Sequence, residues 1–567
     1  MTQAGRMAAC YRRITCLLVL LHLLQSVYAC TPCSSAEAQP TSQRREGMKP
    51  QRISASVMLF AVTCVGFLLL LSPLGAAPVA AVTFTHGVAS GEVRPYTAVL
   101  WTRVDQEARL TVEVSTDRAL HPLSFTSTVL AAAAADFTAQ VTVLVSPGQT
   151  YFYRWRHDDV LSEVGTFTTP PLPGVARDVK FAFSGDSDGT KIQGKPAFNN
   201  FEVLGAAGQE NLDFFVYLGD TIYADSDVRP TPAISLSDFR DAYKENRDYP
   251  ALRRLLAATS IYAIWDDREV QHSFAGQTVD PMLYANGRQA FLEYMPLRPL
   301  PLPPDSACAS TPLFRVFHWG KDVDIIILDE RSCRSADVSA VCQGDLAPTL
   351  PAPVRAQLAQ GGFPLPAQPP AGCLEALFEP TRTMLGPLQK SLLKAALLQS
   401  TAKFKFVINE VAIQQFYIGP YDRWEGYGAE RAEILGFIRA RNIKNVIYLT
   451  TGLHANLINE VFIDRFLDPT PVAYEFVTGP IAADTSMEDL EATAESLHLP
   501  PEQVVQAVNS VLDLVGVDCR NLDTFSYGVV EVQASAGTAS ITLKDDQGHL
   551  VHDQFNPTIV CRKVLGP

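Results

Sequence analysis

The chain has 567 residues and a formal net charge of −14, which leaves room for a large core and for more than one domain. That acidity excludes a nucleic-acid-binding surface, because such proteins need Lys and Arg patches to displace counterions from phosphates. A small anionic substrate remains allowed where local cations, metal or Arg, hold it against the overall field.

In chain order the first element reads as targeting sequence. From Met48, the stretch MKPQRISASVMLFAVTCVGFLLLLSPLGAAPVAA has a basic start, a long apolar centre and a small-residue end. This is the order of a secretory signal with cleavage near Ala77 or Ala81, so residues 1–81 are assigned to targeting and the mature protein to the medium, the cell surface or the periplasm. An upstream apolar run, CLLVLLHLLQSVYAC after Tyr11-Arg12-Arg13, would be explained by a start codon assigned too early, and the arginine pair is only a weak twin-arginine signal. A membrane anchor at residues 53 to 72 is the competing reading, and an uncleaved segment here is the chain's expected route to a membrane. Of the eleven cysteines, Cys308, Cys333, Cys342, Cys373, Cys519 and Cys561 follow the cleavage point. An even six without a CxxC pair fits an exported protein with up to three disulfides, in connectivities that spacing does not separate. Six ordinary buried thiols is the plainer alternative.

Residues 82–171 alternate apolar and polar positions in short runs, AVLWTRV, LTVEVS, AQVTVLVS, TYFYRWRH and VGTFTTP, with turn residues between them and no helical stretch of good length except the alanines at 131 to 135. The pattern predicts an antiparallel β-sandwich. Pro170-Pro171-Leu172-Pro173-Gly174 then reads as a linker. From 175 to 567 the signal changes to apolar runs ending in polar or small residues: VKFAFSGD, LDFFVYLGD, IYAIWDD, VDIIILDE, FKFVINE and NVIYLTTGLH. Helical patterns separate several of them, clearest in LGPLQKSLLKAALLQS and ERAEILGFIRARN. Together these predict an α+β multidomain protein, the sandwich followed by a layered α/β domain whose strand ends converge on a site. Proline-rich stretches, PLRPLPLPPD and APTLPAPVRAQ through FPLPAQPPAGC, cannot be central strands and are expected as surface loops near the cysteines.

The strand ends carry the chemistry. In FVYLGDTIYAD the chain runs apolar to Leu218, turns at Gly219 and sets down Asp220, with Tyr223 three places further on. A hard carboxylate beyond the carboxyl end of a buried strand suits a cation, and a phenolate beside it suits a strongly Lewis-acidic one such as ferric iron. Alone, the motif is equally a cap beside a packed aromatic. The other ends add Asp186 and Asp188, Asp266 with Asp267, Arg268 and Glu269, Asn409 with Glu410, and His454. Unlike donors repeated at one structural location are what a binuclear hydrolytic site needs, one carboxylate bridging two cations that activate water and neutralise a phosphoryl group.

These segments resemble a known family. GVASGEV with VLWTRV, PGQTYFYRWRHDDVLSEVGTFTT, LGDTIYAD, WDDREV, LGPLQKSLLKAALLQSTAKFKFVINEV, YDRWEGYGAER and VIYLTTGLHANL stand in the order found in PhoD-like alkaline phosphatases and phosphodiesterases, over roughly residues 83 to 545. The resemblance implies an exported protein with an N-terminal sandwich and a metallophosphoesterase-type domain holding iron and calcium, acting on phosphate esters. The Gly-Asp-x-x-Tyr pattern is also similar to that of purple acid phosphatases, whose tyrosine binds ferric iron. Residue by residue it implies Asp220 as the bridging ligand, Tyr223 as the iron phenolate, His454 as the last metal histidine, Asp267 as a second-metal ligand and Asn409 as its partner. Three positions depart from the family's pattern. Asp186 stands where a Cys iron ligand is usual, Arg268 replaces the His of Asp-Asp-His-Glu, and Gly452 replaces the Asp of Gly-Asp-Val-His. Asp186 keeps an anionic donor but a harder one. Arg268 cannot donate a proton at neutral pH, although it can grip a phosphate oxygen.

The leading expectation is an exported metal-dependent phosphoesterase, for monoesters or diesters, attacking phosphorus with a metal-bound hydroxide while Arg268 and the cations absorb charge. The alternative is a non-catalytic secreted or surface binding protein that keeps the fold and a degenerate metal site. Trp424, Gly426 and Tyr427 match a family segment near the site mouth but read equally as loop packing, as does Trp101-Thr102-Arg103 in the sandwich. Amino-terminal sequencing of the mature protein is expected to begin just after residue 77 or 81, and a start at Met1 or Met48 would overturn the signal assignment.

Overall fold

The computed structural model describes residues 81–298, 308 and 312–566. The predicted signal and part of the first proline-rich stretch lie outside the described residues. Among those described, no helix is long and apolar enough to cross a membrane.

Two large sheets build the molecule. The first has nine strands, in spatial order Arg562–Leu565, Thr538–Asp545, Ser526–Gln533, Val179–Ser184, Phe214–Leu218, Ser260–Ile264, Phe84–Arg94, Thr97–Val104 and Thr138–Leu144. The second has seven: Arg315–Trp319, Val323–Ile327, Phe404–Asn409, Val446–Thr450, Ala473–Val477, Asn456–Val461 and Val517–Asn521. At the centre of each, four strands run parallel, Val179–Ser184, Phe214–Leu218, Ser260–Ile264 and Phe84–Arg94 in one, Val323–Ile327, Phe404–Asn409, Val446–Thr450 and Ala473–Val477 in the other. Parallel pairing puts their carboxyl ends, and the polar residues that follow, at the same edge of each sheet.

These central strands read as continuous apolar runs because both faces are covered. All five residues of Phe214–Leu218 are buried, each large side chain contributing about 1.5–3 kcal/mol relative to exposure. Across the interface Phe181 meets Phe406 edge-on at 5.2 Å and Phe214 lies 4.6 Å from Trp319. Helices Gly386–Gln399 and Gly428–Ala440 cover the outer side of the second sheet, burying Leu393, Leu397, Ile434 and Leu435 against Val407 and Tyr448. Helices Glu202–Ala207 and Pro250–Ala258 set Leu204, Leu252 and Leu255 in the core of the first.

The N-terminal strands differ in one respect from a self-contained sandwich. A second sheet, Phe125–Ala131, Ala108–Ser115, Thr150–His157, Val160–Leu161 and Gly165–Thr168, encloses a core with Val88, Leu100, Leu110, Val112 and Trp155. Its facing strands, however, belong to the nine-stranded sheet, where Phe84–Arg94 pairs in parallel with Ser260–Ile264. Alternation in sequence reports which face of a strand is buried and is silent about which edge it joins. Of the alanines at 131 to 135, Ala131 ends the strand Phe125–Ala131 and Ala133–Ala135 form a single 3-10 turn. The proline-rich stretch at 351 contains a helix, Ala352–Gln360, entered from Pro351, since proline is tolerated in a first turn whose N–H groups have no partner.

The six cysteines pair in sequence order, Cys308–Cys333, Cys342–Cys373 and Cys519–Cys561. Closing loops of 25, 31 and 42 residues stabilises by about 3–4 kcal/mol each on chain-entropy grounds. Thiol titration of the denatured, unreduced mature protein is therefore expected to find none of the six free, and reduction to lower the melting temperature by several degrees.

Candidate metal and phosphate site

The carboxyl ends of both sheets meet in a cavity of about 570 Å³, lined among others by Asp220, Tyr223, Asp266, Asp267, Arg268, His272, Arg331 and His454. The backbone that delivers these groups is unusual. Asp186, Asp220 and His454 all have left-handed φ, 58°, 47° and 52°, a region that costs energy for residues other than glycine and is retained where surrounding structure enforces it. Gly219, φ 84°, allows the Asp220 turn to touch its neighbour. A Cβ there would lie 2.8 Å from the Asp266 amide nitrogen. Glu269 locks the two loops together, accepting hydrogen bonds from the Thr221 N–H at 2.6 Å, the Thr221 hydroxyl at 2.7 Å and the Asp266 N–H at 2.9 Å. Burial pushes its carboxyl up to about 8.

Three buried carboxylates, Asp220, Asp266 and Asp267, each bring an oxygen within 4.8 Å of the others. By protein groups alone this is costly. Burial, then the charges of Asp267 and Asp266, holds the Asp220 carboxyl well above the usual carboxylate range. Burial likewise pushes Asp266 up to about 6 even though the Arg331 guanidinium, 2.5 Å away, opposes the shift. Asp267 goes the other way: burial disfavours its charge, but Arg331, His272 and Arg268 hold it low. Arg331 is itself gripped by Asp422 through two 2.8 Å bonds.

Asp186 sits beneath the cavity, fully buried. One oxygen accepts from the Thr451 hydroxyl and, at 3.1 Å, from the Gly452 N–H; the other has no partner. His454 donates from Nδ1 to the Asp484 carbonyl at 2.6 Å, which leaves the Nε2 lone pair free to face the Tyr223 hydroxyl 3.3 Å away. An imidazole held in one tautomer by a carbonyl is the usual arrangement of a metal-ligating histidine. An orphaned buried carboxylate oxygen, a clustered carboxylate set and an oriented Nε2 thus fit a cation site. Burial and the Asp220 charge keep the Tyr223 phenol protonated without one.

Arg268 donates its backbone N–H to Asp220 at 2.9 Å and its guanidinium to Asp225 at 3.3 Å, and lies 5.2 Å over the Tyr223 ring. Asn409 is buried but engaged elsewhere, accepting from the Trp424 indole at 2.9 Å and donating to Val411 at 2.5 Å and Thr450 at 3.2 Å; it does not line the cavity. Trp424 also bonds Glu330 at 2.8 Å. At Gly452, φ 72°, a Cβ would point to within 3.6 Å of an Asp266 oxygen, so this position faces the cluster without a side chain. Reading the sequence missed Arg331, Asp422 and His272, whose Nδ1 is 3.2 Å from Asp267. His272, four places beyond Arg268 in one loop, was the findable one.

The family description "PhoD-like phosphatase" matches residues 190–541, and "PhoD-like phosphatase, N-terminal domain" matches residues 71–171. The chain belongs to the PhoD-like phosphatase family. It is 27% identical over 423 residues to alkaline phosphatase D of Bacillus subtilis (strain 168), covering 67% of this chain and 66% of that protein, so it spans slightly under two thirds of the relative's length. Its fold is similar to a solved structure titled "Structure of PhoD", with a TM-score of 0.64 at 23% identity over 81% of this chain and 86% of that one. It is also similar to a purple acid phosphatase from yellow lupin seeds, with a TM-score of 0.50 at 10% identity over 84% and 73%. The fold of these structures is shared by the chain that carries the acidic cluster.

Substitutions at the opening motif separate a metal centre from a cap. Tyr223→Phe keeps the ring under Arg268 and is expected to leave the melting temperature within a few degrees while lowering bound metal measured by atomic emission. Asp220→Asn is expected to lower metal content further yet to raise the melting temperature of chelator-treated protein, because a neutral amide abolishes the cost of burying or protonating a carboxyl in that cluster. Unchanged metal content in both variants would return the motif to a cap beside a packed aromatic.

Proposed function

We propose that this protein is an exported phosphoesterase with a binuclear metal site, acting on phosphomonoesters or phosphodiesters. The observation that carries the reading is the convergence of Asp220, Asp266 and Asp267 with Tyr223, His454 and three arginines, Arg268, Arg331 and Arg423, in one open cavity. Asp186, Asp220, Tyr223 and His454 would hold ferric iron, and Asp220 with Asp267 a second divalent cation, calcium in this reading. When bound, the cations supply an activated water and charge neutralisation at phosphorus.

The rest falls to the chain's own groups. Arg268 and Arg331 face the cavity with charges held in place by Asp225 and Asp422, suited to the equatorial oxygens of a phosphoryl group. His272 brings to Asp267 the imidazole that position 268 lacks, and as a proton carrier it can protonate the leaving alcohol where Arg268 cannot. Asn409 serves in this reading by orienting Trp424 rather than by ligation. Gly452 and the Arg331 contact to Asp266 lower the net negative charge around the second cation, which makes that cation the more weakly held. A non-catalytic binding protein is the reading these two features would favour. Export is supported by three disulfides, which persist in oxidising compartments.

The test is hydrolysis of p-nitrophenyl phosphate and bis-p-nitrophenyl phosphate by the purified protein. Chelation is expected to remove at least nine tenths of the activity, calcium to restore part of it, and iron with calcium the remainder. A protein that turns over neither ester with its metals in place is a binding protein.

A further inference from the structure

A smaller, apolar cavity of about 170 Å³ opens beside the acidic one. Arg423, Leu453 and Asp489 line both, so the two share a rim. Its walls are Phe416 and Ile418 from the loop before the 3-10 turn Trp424–Tyr427, Leu457 from the second sheet, and Leu490, Val508 and Leu512 from the helices Ser486–Leu497 and Pro501–Val515. The helical pair is tied to the metal-site loop: the Ser486 N–H bonds the His454 carbonyl at 2.9 Å and its hydroxyl bonds the Leu453 carbonyl at 2.5 Å. Leu453 itself stands between Gly452 and His454.

Ile418, Leu453, Leu490 and Val508 are only partly buried around a small core of Phe416, Leu457, Val511 and Leu512. A closed apolar cavity near 150 Å³ accepts benzene, and this recess, open at its polar rim, is of that size. At the rim, Arg423 lies 5.6 Å over the Phe416 ring, bonds Glu425 at 3.1 Å, and keeps its buried Nε without a partner. The geometry is that of a cleft whose mouth, flanked by Arg423 and Asp489, leads from the phosphate position into a hydrocarbon-sized recess.

Resting on the phosphoesterase reading, we propose that this recess is the subsite for the organic group of the ester, and that the preferred substrates carry an aryl or short alkyl group of about six carbons next to the phosphoryl centre. A sugar or polyol would leave the apolar walls uncovered and its own hydroxyls without partners.

Alkylphosphonates, which bind without being cleaved, test this by calorimetry on the protein as purified with its metals. From methyl- through propyl- to hexylphosphonate, Kd is expected to tighten by about threefold to fourfold per methylene, and phenylphosphonate to bind with the longer chains. Val508→Phe, which fills the recess from the far helix, is expected to collapse the hexyl-to-methyl ratio toward one. Leu490→Phe does the same from the nearer helix should the first variant not fold. Equal Kd for methyl and hexyl, both displaceable by inorganic phosphate, would overturn the subsite while leaving the phosphoesterase reading intact. Failure of methylphosphonate and phosphate alike to bind would bring down both.

Discussion

Mutual repulsion among buried carboxylates is the constraint around which this molecule is organised. Asp186, Asp220, Asp266 and Asp267 are all drawn out of water at one point, and no fold places four such groups together without counter-charge. Arg331 answers part of it, bonded to Asp266 and anchored by Asp422, with Arg334 adding a second guanidinium on Asp422 at 2.5 Å. The remainder is left uncompensated by the chain's own groups, and a cation bound there would link its binding free energy to folding stability.

Rigidity follows from the same need. Groups that repel must be held by their backbone, and here they are: left-handed residues at the ends of parallel strands, a glycine that admits backbone contact, and Glu269 clasping two loops through three hydrogen bonds. The covered sheets beneath supply the stiffness, since shifting a strand end would disturb aromatic packing between them.

Much of this was legible in the residues. Apolar runs ending in Asp, Asn or His located the strand ends, and Asp220, Tyr223, Asp267, Arg268 and His454 do share one cavity. What escaped was information carried by topology. The strand Phe84–Arg94 joins the central sheet through a parallel pairing with a strand some 170 residues on, and nothing local marks that. Arg331 and Asp422 look like ordinary surface charges in sequence; the burial of Arg331 and its bidentate contact with the half-exposed Asp422 make them part of the site. Asn409 misled for the converse reason, because a strand-end amide turns as readily toward an indole as toward a metal.

The Cys519–Cys561 bridge has a reach beyond its loop. Cys519 lies in the edge strand Val517–Asn521 of the seven-stranded sheet, and Cys561 directly precedes the edge strand Arg562–Leu565 of the nine-stranded one. The bond therefore rivets the free margins of both sheets to each other. A protease that clips the chain between these cysteines releases nothing, for the severed carboxyl-terminal piece stays fastened by sulfur as well as by its ladder of hydrogen bonds. Clipped there, the protein persists as a nicked but undivided body.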